Sequence, residues 1–194
     1  MAVHMPRNKR EIDPGIKKAE ICAVAYGLLV ERGYDGTSMA AIAEALGVSQ
    51  NTLYWYFGNK DQLLMAVVES RIESVTSGYL AIEAQSVADR LHWLLAQVRG
   101  SGALINVVHG RVSASAEVKA WHDGLHARLH AFFVARLEAR GVPTSQADVI
   151  AQTAMFAFEG VATHPGTPEA ASKVFGFIET AVRSAAQRTD SLDG

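Results

Sequence analysis

Apolar residues recur along this chain at intervals of three and four, the period of an α-helix that buries one face. The first stripe opens at Asp13-Pro14, an N-cap residue followed by proline at the first helical position. It carries Ile16, Ala19, Ala23, Tyr26, Leu28, Leu29 and Val30 to Gly33, a C-cap. Short helical segments follow up to Phe57, and a longer one covers about 59–83. Helical patterning resumes over about 86–99, 102–110, 117–140, 145–163 and 168–187. Breaks fall at Gly100-Ser101-Gly102, Gly141-Val142-Pro143 and His164-Pro165-Gly166-Thr167-Pro168. No stretch alternates apolar and polar residues between hairpin turns, so the expected fold is all-α. Residues 1–12 are polar and aperiodic, carry Arg7, Lys9 and Arg10, and read as a flexible arm; residues 189–194 read as a frayed end.

The most informative pattern lies in residues 37–57. Ser38, assisted by Thr37, precedes a helical run in which Met39, Ile42, Ala43 and Leu46 share one face. Ala43 is small where a second helix must cross. Gly47 suits a left-handed turn, Val48 returns to the core, and Ser49 caps the next helix, whose buried face is Leu53 and Phe57. Two short helices joined by such a turn predict a helix-turn-helix whose second helix enters the major groove. Its exposed N-terminal face holds Gln50, Asn51, Thr52, Tyr54 and Tyr56, with Trp55 beside them. Gln and Asn can pair with adenine edges, Thr with a thymine methyl or a phosphate, and Tyr hydroxyls with phosphates.

Asn59 and Gln62 have capping-box spacing at the start of the long helix. Lys60 sits in its first turn, where the helix macrodipole disfavours a cation. A DNA phosphate there would resolve the conflict, because the amides and Lys60 both attract it; a solvated lysine is the alternative.

Composition changes this picture little. Hydrophobic residues make up 49% and charged residues 20%, enough for a substantial core. No apolar run spans a bilayer and no signal-peptide core opens the chain, so a soluble cytoplasmic protein is expected. The single cysteine, Cys22, excludes an intrachain disulfide and multi-cysteine zinc, and reads as a small buried hydrophobe. Net charge is −2, from 18 basic and 20 acidic side chains. Through residue 60 there are 7 basic and 6 acidic residues, against 11 and 14 beyond it, so the case for DNA rests on pattern rather than bulk charge.

At these residues the chain resembles the TetR family of one-component regulators. The matching elements are Gly33-Tyr34-Asp35-Gly36-Thr37-Ser38, Ile42-Ala43, Leu46-Gly47-Val48-Ser49, Thr52-Leu53-Tyr54-Trp55-Tyr56-Phe57 and Asn59-Lys60-Asp61-Gln62-Leu63-Leu64. The resemblance implies an all-α protein of roughly nine helices. Residues 1–58 would be a three-helix, helix-turn-helix DNA-binding domain with its arm, and residues 59–194 an effector-binding and dimerisation domain. It implies phosphate contacts from Ser38, Thr52, Tyr54, Tyr56 and Lys60, and base contacts from Gln50 and Asn51. Thr37, Ser49 and Trp55 complete the expected DNA-binding set. Two departures bear on specificity: Ala40 stands where such proteins often carry a long polar side chain, and Asn51 replaces a common glycine or proline.

In the remaining chain, Ile150, Ala154, Phe158 and Val161 repeat at helical spacing, as do Val174, Phe175, Ile178, Ala181 and Val182. Two such helices per subunit can form a four-helix bundle across a two-fold axis, setting two reading helices about 34 Å apart on a palindrome. The alternative is that both stripes pack within one subunit. The middle segment supplies effector-pocket candidates: Trp93, His109, Trp121, Leu125, His126, Leu129 and Phe133, with Leu94 and Phe132 nearby. His122, His126 and His130 form a four-residue-step stripe that spans about 12 Å, too long for one ion. At most a pair could share a metal, with a ligand such as His109 from elsewhere; no metal or other cofactor is assigned.

The reading that follows is a repressor, not an enzyme. It binds palindromic double-stranded operator DNA as a homodimer through helices near 145–163 and 168–187, and a small-molecule effector releases it; no membrane is involved. A histidine-dependent metal-binding protein or enzyme, using the histidine stripe or Glu159, lacks a nucleophile–base–orienter set and a phosphate loop. A helical interaction module without DNA binding leaves the polar face of the second short helix unexplained.

Overall fold

The structure, a computed structural model, describes residues 14–82, 86–98, 102–164 and 166–190. The expected arm, the Asp13 cap, the Gly100-Ser101 break and the last four residues lie outside the described residues. Nine helices account for the described chain: α1 (Pro14–Arg32), α2 (Met39–Leu46), α3 (Gln50–Phe57), α4 (Lys60–Ala81), α5 (Val87–Val98), α6 (Gly102–Val112), α7 (Ala116–Glu138), α8 (Thr144–Thr163) and α9 (Pro168–Asp190). No described helix is long and apolar enough to cross a membrane. The chain divides into two compact units between Ser70 and Arg71, inside α4, rather than at residue 58. Leu63, Leu64 and Val67, all buried, place the first part of α4 in the core of the first unit.

In the first unit, Pro14 takes the first position of α1 as expected. The buried face of α1 differs from the expected stripe: Ile21, Cys22, Ala25 and Leu29 are buried, whereas Ile16, Ala19 and Ala23 face outward. Apolar residues occupy nearly every face of this helix, so periodicity admits more than one phase and tertiary packing selects among them. Cys22 is a buried free thiol, and burial pushes its pKa up against a smaller opposing pull from Lys18. Gly33 closes α1 at φ 71°, its N–H donating to the Leu29 carbonyl at 3.0 Å.

The bend into α2 is tight. Thr37 has no exposed surface, and its hydroxyl donates to the Leu28 carbonyl at 3.0 Å. A Cβ on Gly36 would lie 2.3 Å from the Arg32 carbonyl oxygen, a backbone atom with no freedom to rotate away. Gly36→Ala should therefore cost about 1–3 kcal/mol through forced backbone shifts. Denaturant titration of the first unit reads this, and an unchanged midpoint would show that the bend has room to relax.

The second unit is built around α9. Ala171, Phe175, Ile178, Val182 and Ala185 are buried at alternating four- and three-residue steps, one continuous stripe. Ala147 and Ala151 on α8, Leu91 and Leu95 on α5, Leu137 near the end of α7 and Val142 after it complete this cluster. The alanines admit close helix approach; the leucines and Phe175 supply apolar area, about 1.5–3 kcal/mol for each large side chain fully buried. Glu179 on α9 accepts the N–H groups of Val87 and Ala88 at 2.7 and 3.3 Å, so a carboxylate from a distant helix satisfies the start of α5. Arg90 donates to the Tyr79 carbonyl at 2.9 Å and stands over the Tyr79 ring at 5.0 Å, tying α5 to the end of α4. Phe175, Ile178 and Val182, expected to be available for a partner subunit, thus belong to the core of one chain. The exposed large apolar residues of these helices are instead Val149 and Phe156 on α8 and Phe177 on α9.

Candidate functional site

Helix α2 is capped by Ser38, whose hydroxyl accepts the Ala41 N–H at 3.0 Å. Met39, Ile42 and Ala43 form its buried face. Gly47 follows at φ 64°, the left-handed conformation the sequence called for, and the Val48 N–H donates to the Ala43 carbonyl at 3.0 Å. Ser49 then caps α3, its hydroxyl accepting the Thr52 N–H at 3.2 Å and lying 2.8 Å from the Thr52 hydroxyl. Leu53, with no exposed surface, and Phe57 hold α3 to the core.

With that face inward, the opposite face is settled. Ser38, Ser49, Gln50, Asn51 and Tyr54 are exposed, Thr52 and Tyr56 half-buried, and Trp55 is 74% exposed. Gln50 Nε2 donates to the Tyr54 hydroxyl at 3.4 Å, and Trp55 stands edge-on to Tyr56 with centroids 4.7 Å apart. Thr37 departs from the expected set. Its hydroxyl is spent on the Leu28 carbonyl and its side chain is enclosed, so it cannot reach a nucleic acid.

Lys60 also differs from expectation. Its Nζ donates to the Tyr34 carbonyl and lies 3.8 Å from the Tyr34 ring centroid, while the Tyr34 hydroxyl donates to the Asp61 carboxylate. The unfavourable cation in the first turn of α4 is thereby met within the fold by a carbonyl and an aromatic face. Sequence reasoning missed this contact because Tyr34 lies 26 residues away. The capping role of Asn59 is present, its side-chain oxygen accepting the Gln62 N–H at 2.8 Å.

The second unit contains a cavity of about 720 Å³ where the C-terminal ends of α5 and α8 meet the N-terminal ends of α6 and α9. Leu95, Val98, Val161 and Ala171 give it apolar walls, and Asn106, Thr163, His164 and Thr167 supply polar groups. None of the seven expected ligand residues lines it. Trp93 lies against Gly78, where an added Cβ would approach the indole to 2.7 Å. Phe133 stands edge-on to Tyr79 at 6.1 Å, and Leu125 is buried while Trp121 and Leu129 are half-buried. The lining is mostly small or aliphatic, so no aromatic pattern marked it.

His109 and His126 come together elsewhere, with His122. The three histidines each present a ring nitrogen within 4.8 Å of the others. The His122 ring lies 5.3 Å from that of His109 and 4.2 Å from that of His126. His126 Nε2 is 3.2 Å from Glu159 Oε1 on α8. Both His122 ring nitrogens are shielded from solvent and lack a hydrogen-bond partner. At 3.6 Å, Asp123 Oδ1 acts on Nδ1 as a charge rather than an acceptor. Burial, and then the neighbouring His126, hold the His122 pKa below the usual imidazole range. His130 turns away, its Nε2 lying 3.2 Å from the Asp148 carbonyl oxygen.

Residues 21–67 match the family model described as bacterial regulatory proteins, tetR family. The HTH-type transcriptional regulator TtgR of Pseudomonas putida is 34% identical over 74 residues, 38% of this chain and 35% of that protein. The chain therefore spans about a third of the length of the curated relatives it matches. The structure of Salmonella enterica GusR superposes with a TM-score of 0.70 at 20% identity, covering 92% of this chain and 100% of that one. That of AibR in complex with isovaleryl coenzyme A and operator DNA gives 0.55 at 21%, covering 84% and 97%. At these identities the two structures share the fold.

Proposed function

The chain belongs to the tetR family of bacterial regulatory proteins through its N-terminal domain, and on that premise we propose that it is a repressor, not an enzyme, that binds operator DNA as a homodimer and releases it when a small molecule enters the second unit. The observation that carries the reading is the outward face of α3, with Gln50, Asn51 and Tyr54 exposed while Leu53 and Phe57 anchor the helix from behind. Gln50 and Asn51 meet base edges in the major groove. Ser38, Ser49, Thr52, Tyr54, Tyr56 and Trp55 line the sugar–phosphate walls. Lys60 contributes at the border, by bracing the bend at Tyr34 as much as by its charge.

The cavity of about 720 Å³ is the effector site in this reading: its size falls within the range of small-molecule pockets, and its few polar groups can orient a mostly apolar ligand. Dimerisation uses the exposed faces of α8 and α9, where Val149 and Phe156 lie seven residues apart and Phe177 adds a third large apolar group. Helix α4 begins in the first unit and ends in the second, so a ligand that binds two states of the second unit unequally biases the first through it.

Selection of bound fragments from random duplex DNA should return a palindromic consensus. Against that consensus, Gln50→Ala or Asn51→Ala should each cost about 1–3 kcal/mol and relax sequence choice. Tyr54→Phe should weaken operator and random duplex alike. Fluorescence anisotropy on both duplexes reads the difference, and equal losses for all three variants would refute the base-reading assignment.

A further inference from the structure

We propose that His109, His122 and His126 bind one divalent transition-metal ion of the zinc class, with Glu159 as the carboxylate that holds the His126 ring. His122 and His126 lie one turn apart on the same face of α7, and His109 reaches them from the last turn of α6. Their ligand atoms lie within 4.8 Å of one another. In a tetrahedral zinc site, with Zn–N near 2.0–2.1 Å, ligand atoms are about 3.3 Å apart, so each ring needs to move inward by only about 1 Å. Three imidazoles match the donor preference of zinc, cobalt, nickel and copper ions.

Two further observations point to a ligand rather than to packing. Both ring nitrogens of His122 are shut off from solvent without a hydrogen-bond partner, and a buried polar group left so is costly. A metal would take the lone pair of the unprotonated one. Glu159, 3.2 Å from His126 Nε2, supplies the carboxylate–histidine contact that commonly orients a metal-bound ring. Three protein ligands leave one tetrahedral position for water or a small anion. The site is independent of operator reading, which depends on α3.

The test uses the full chain, stripped by a chelator and titrated with Zn²⁺ by calorimetry and with Co²⁺ by visible absorption. Saturation at one ion per chain is expected, with Co²⁺ bands of four-coordinate intensity. His109→Ala, His122→Ala and His126→Ala should each weaken Zn²⁺ by more than about 100-fold, and Glu159→Gln by about 10–100-fold. His130→Ala should leave binding unchanged, because that ring engages Asp148. Thermal melting guards against misfolding: Zn²⁺ should raise the melting temperature of the parent chain and not that of His122→Leu. Absence of a saturable site, unchanged affinity in the three histidine variants, an equal loss in His130→Ala, or a His122→Leu chain still stabilised by Zn²⁺ would each overturn the proposal.

Discussion

Truncating Phe175 to alanine should destabilise the second unit by about 3–5 kcal/mol, the largest single effect expected in the chain. The ring has no exposed surface and is the largest fully buried side chain described. It meets the His92 ring of α5 edge-on at 4.9 Å and stacks with Phe158 of α8 at 6.4 Å, so three helices converge on one side chain. Removing it forfeits both the transfer free energy and the contacts of the surrounding wall, since packed helices close only part of such a void. Chemical denaturation followed by far-ultraviolet circular dichroism measures the loss. Phe177→Ala is the control: two residues along the same helix but 70% exposed, it should shift the midpoint of an isolated chain by no more than about 0.5 kcal/mol. In the dimer reading, Phe177→Ala should weaken association instead. A Phe175→Ala chain as stable as the parent would mean that some other set of contacts holds α5, α8 and α9 together.

Leu53→Ala is the second large effect, about 2–5 kcal/mol from loss of a fully enclosed leucine. The consequence is disproportionate because the first unit is small. At roughly 0.05–0.15 kcal/mol per residue, a unit of that size holds only a few kcal/mol in total. The substitution should therefore unfold α2 and α3 while leaving the second unit protected. Hydrogen exchange resolves the two: amides of α3 should lose protection, and those of α9 should keep it. DNA binding should vanish with the protection, unlike in Gln50→Ala, where the fold survives and only sequence choice relaxes. Full protection of α3 in Leu53→Ala would show that the helix is held by something other than its buried face.

What the sequence revealed follows the range of each interaction. The caps at Ser38 and Ser49, the left-handed Gly47 and the Leu53–Phe57 pair act within one or two turns, so spacing alone placed them. The exposed face of α3 then followed by elimination. Where contacts run between distant helices, the pattern was silent. Nothing near Lys60 announces Tyr34, and nothing near α5 announces that Glu179 will satisfy its first amides. The phase of α1 departs from its pattern because alanine and isoleucine on several faces give competing stripes. The cavity has no signature in the pattern because the glycines, alanines and threonines that line it mark space by their small size. The pairing of His122 with His126 was legible as one helical turn, whereas His109 joins them only through the packing of α6 on α7.

The contacts of Tyr34 with Lys60 and Asp61, 26 and 27 residues away, clasp the chain on either side of α2 and α3. Helices α2 and α3 thus sit in a closed loop, a cassette latched at its mouth. Gln50 and Asn51 lie outside the latch and outside the core, so under the proposed reading exchanging them should alter which sequence is sought without loosening what holds the cassette shut. Drift toward a new target can therefore proceed one side chain at a time, with little conflict between being folded and being retargeted.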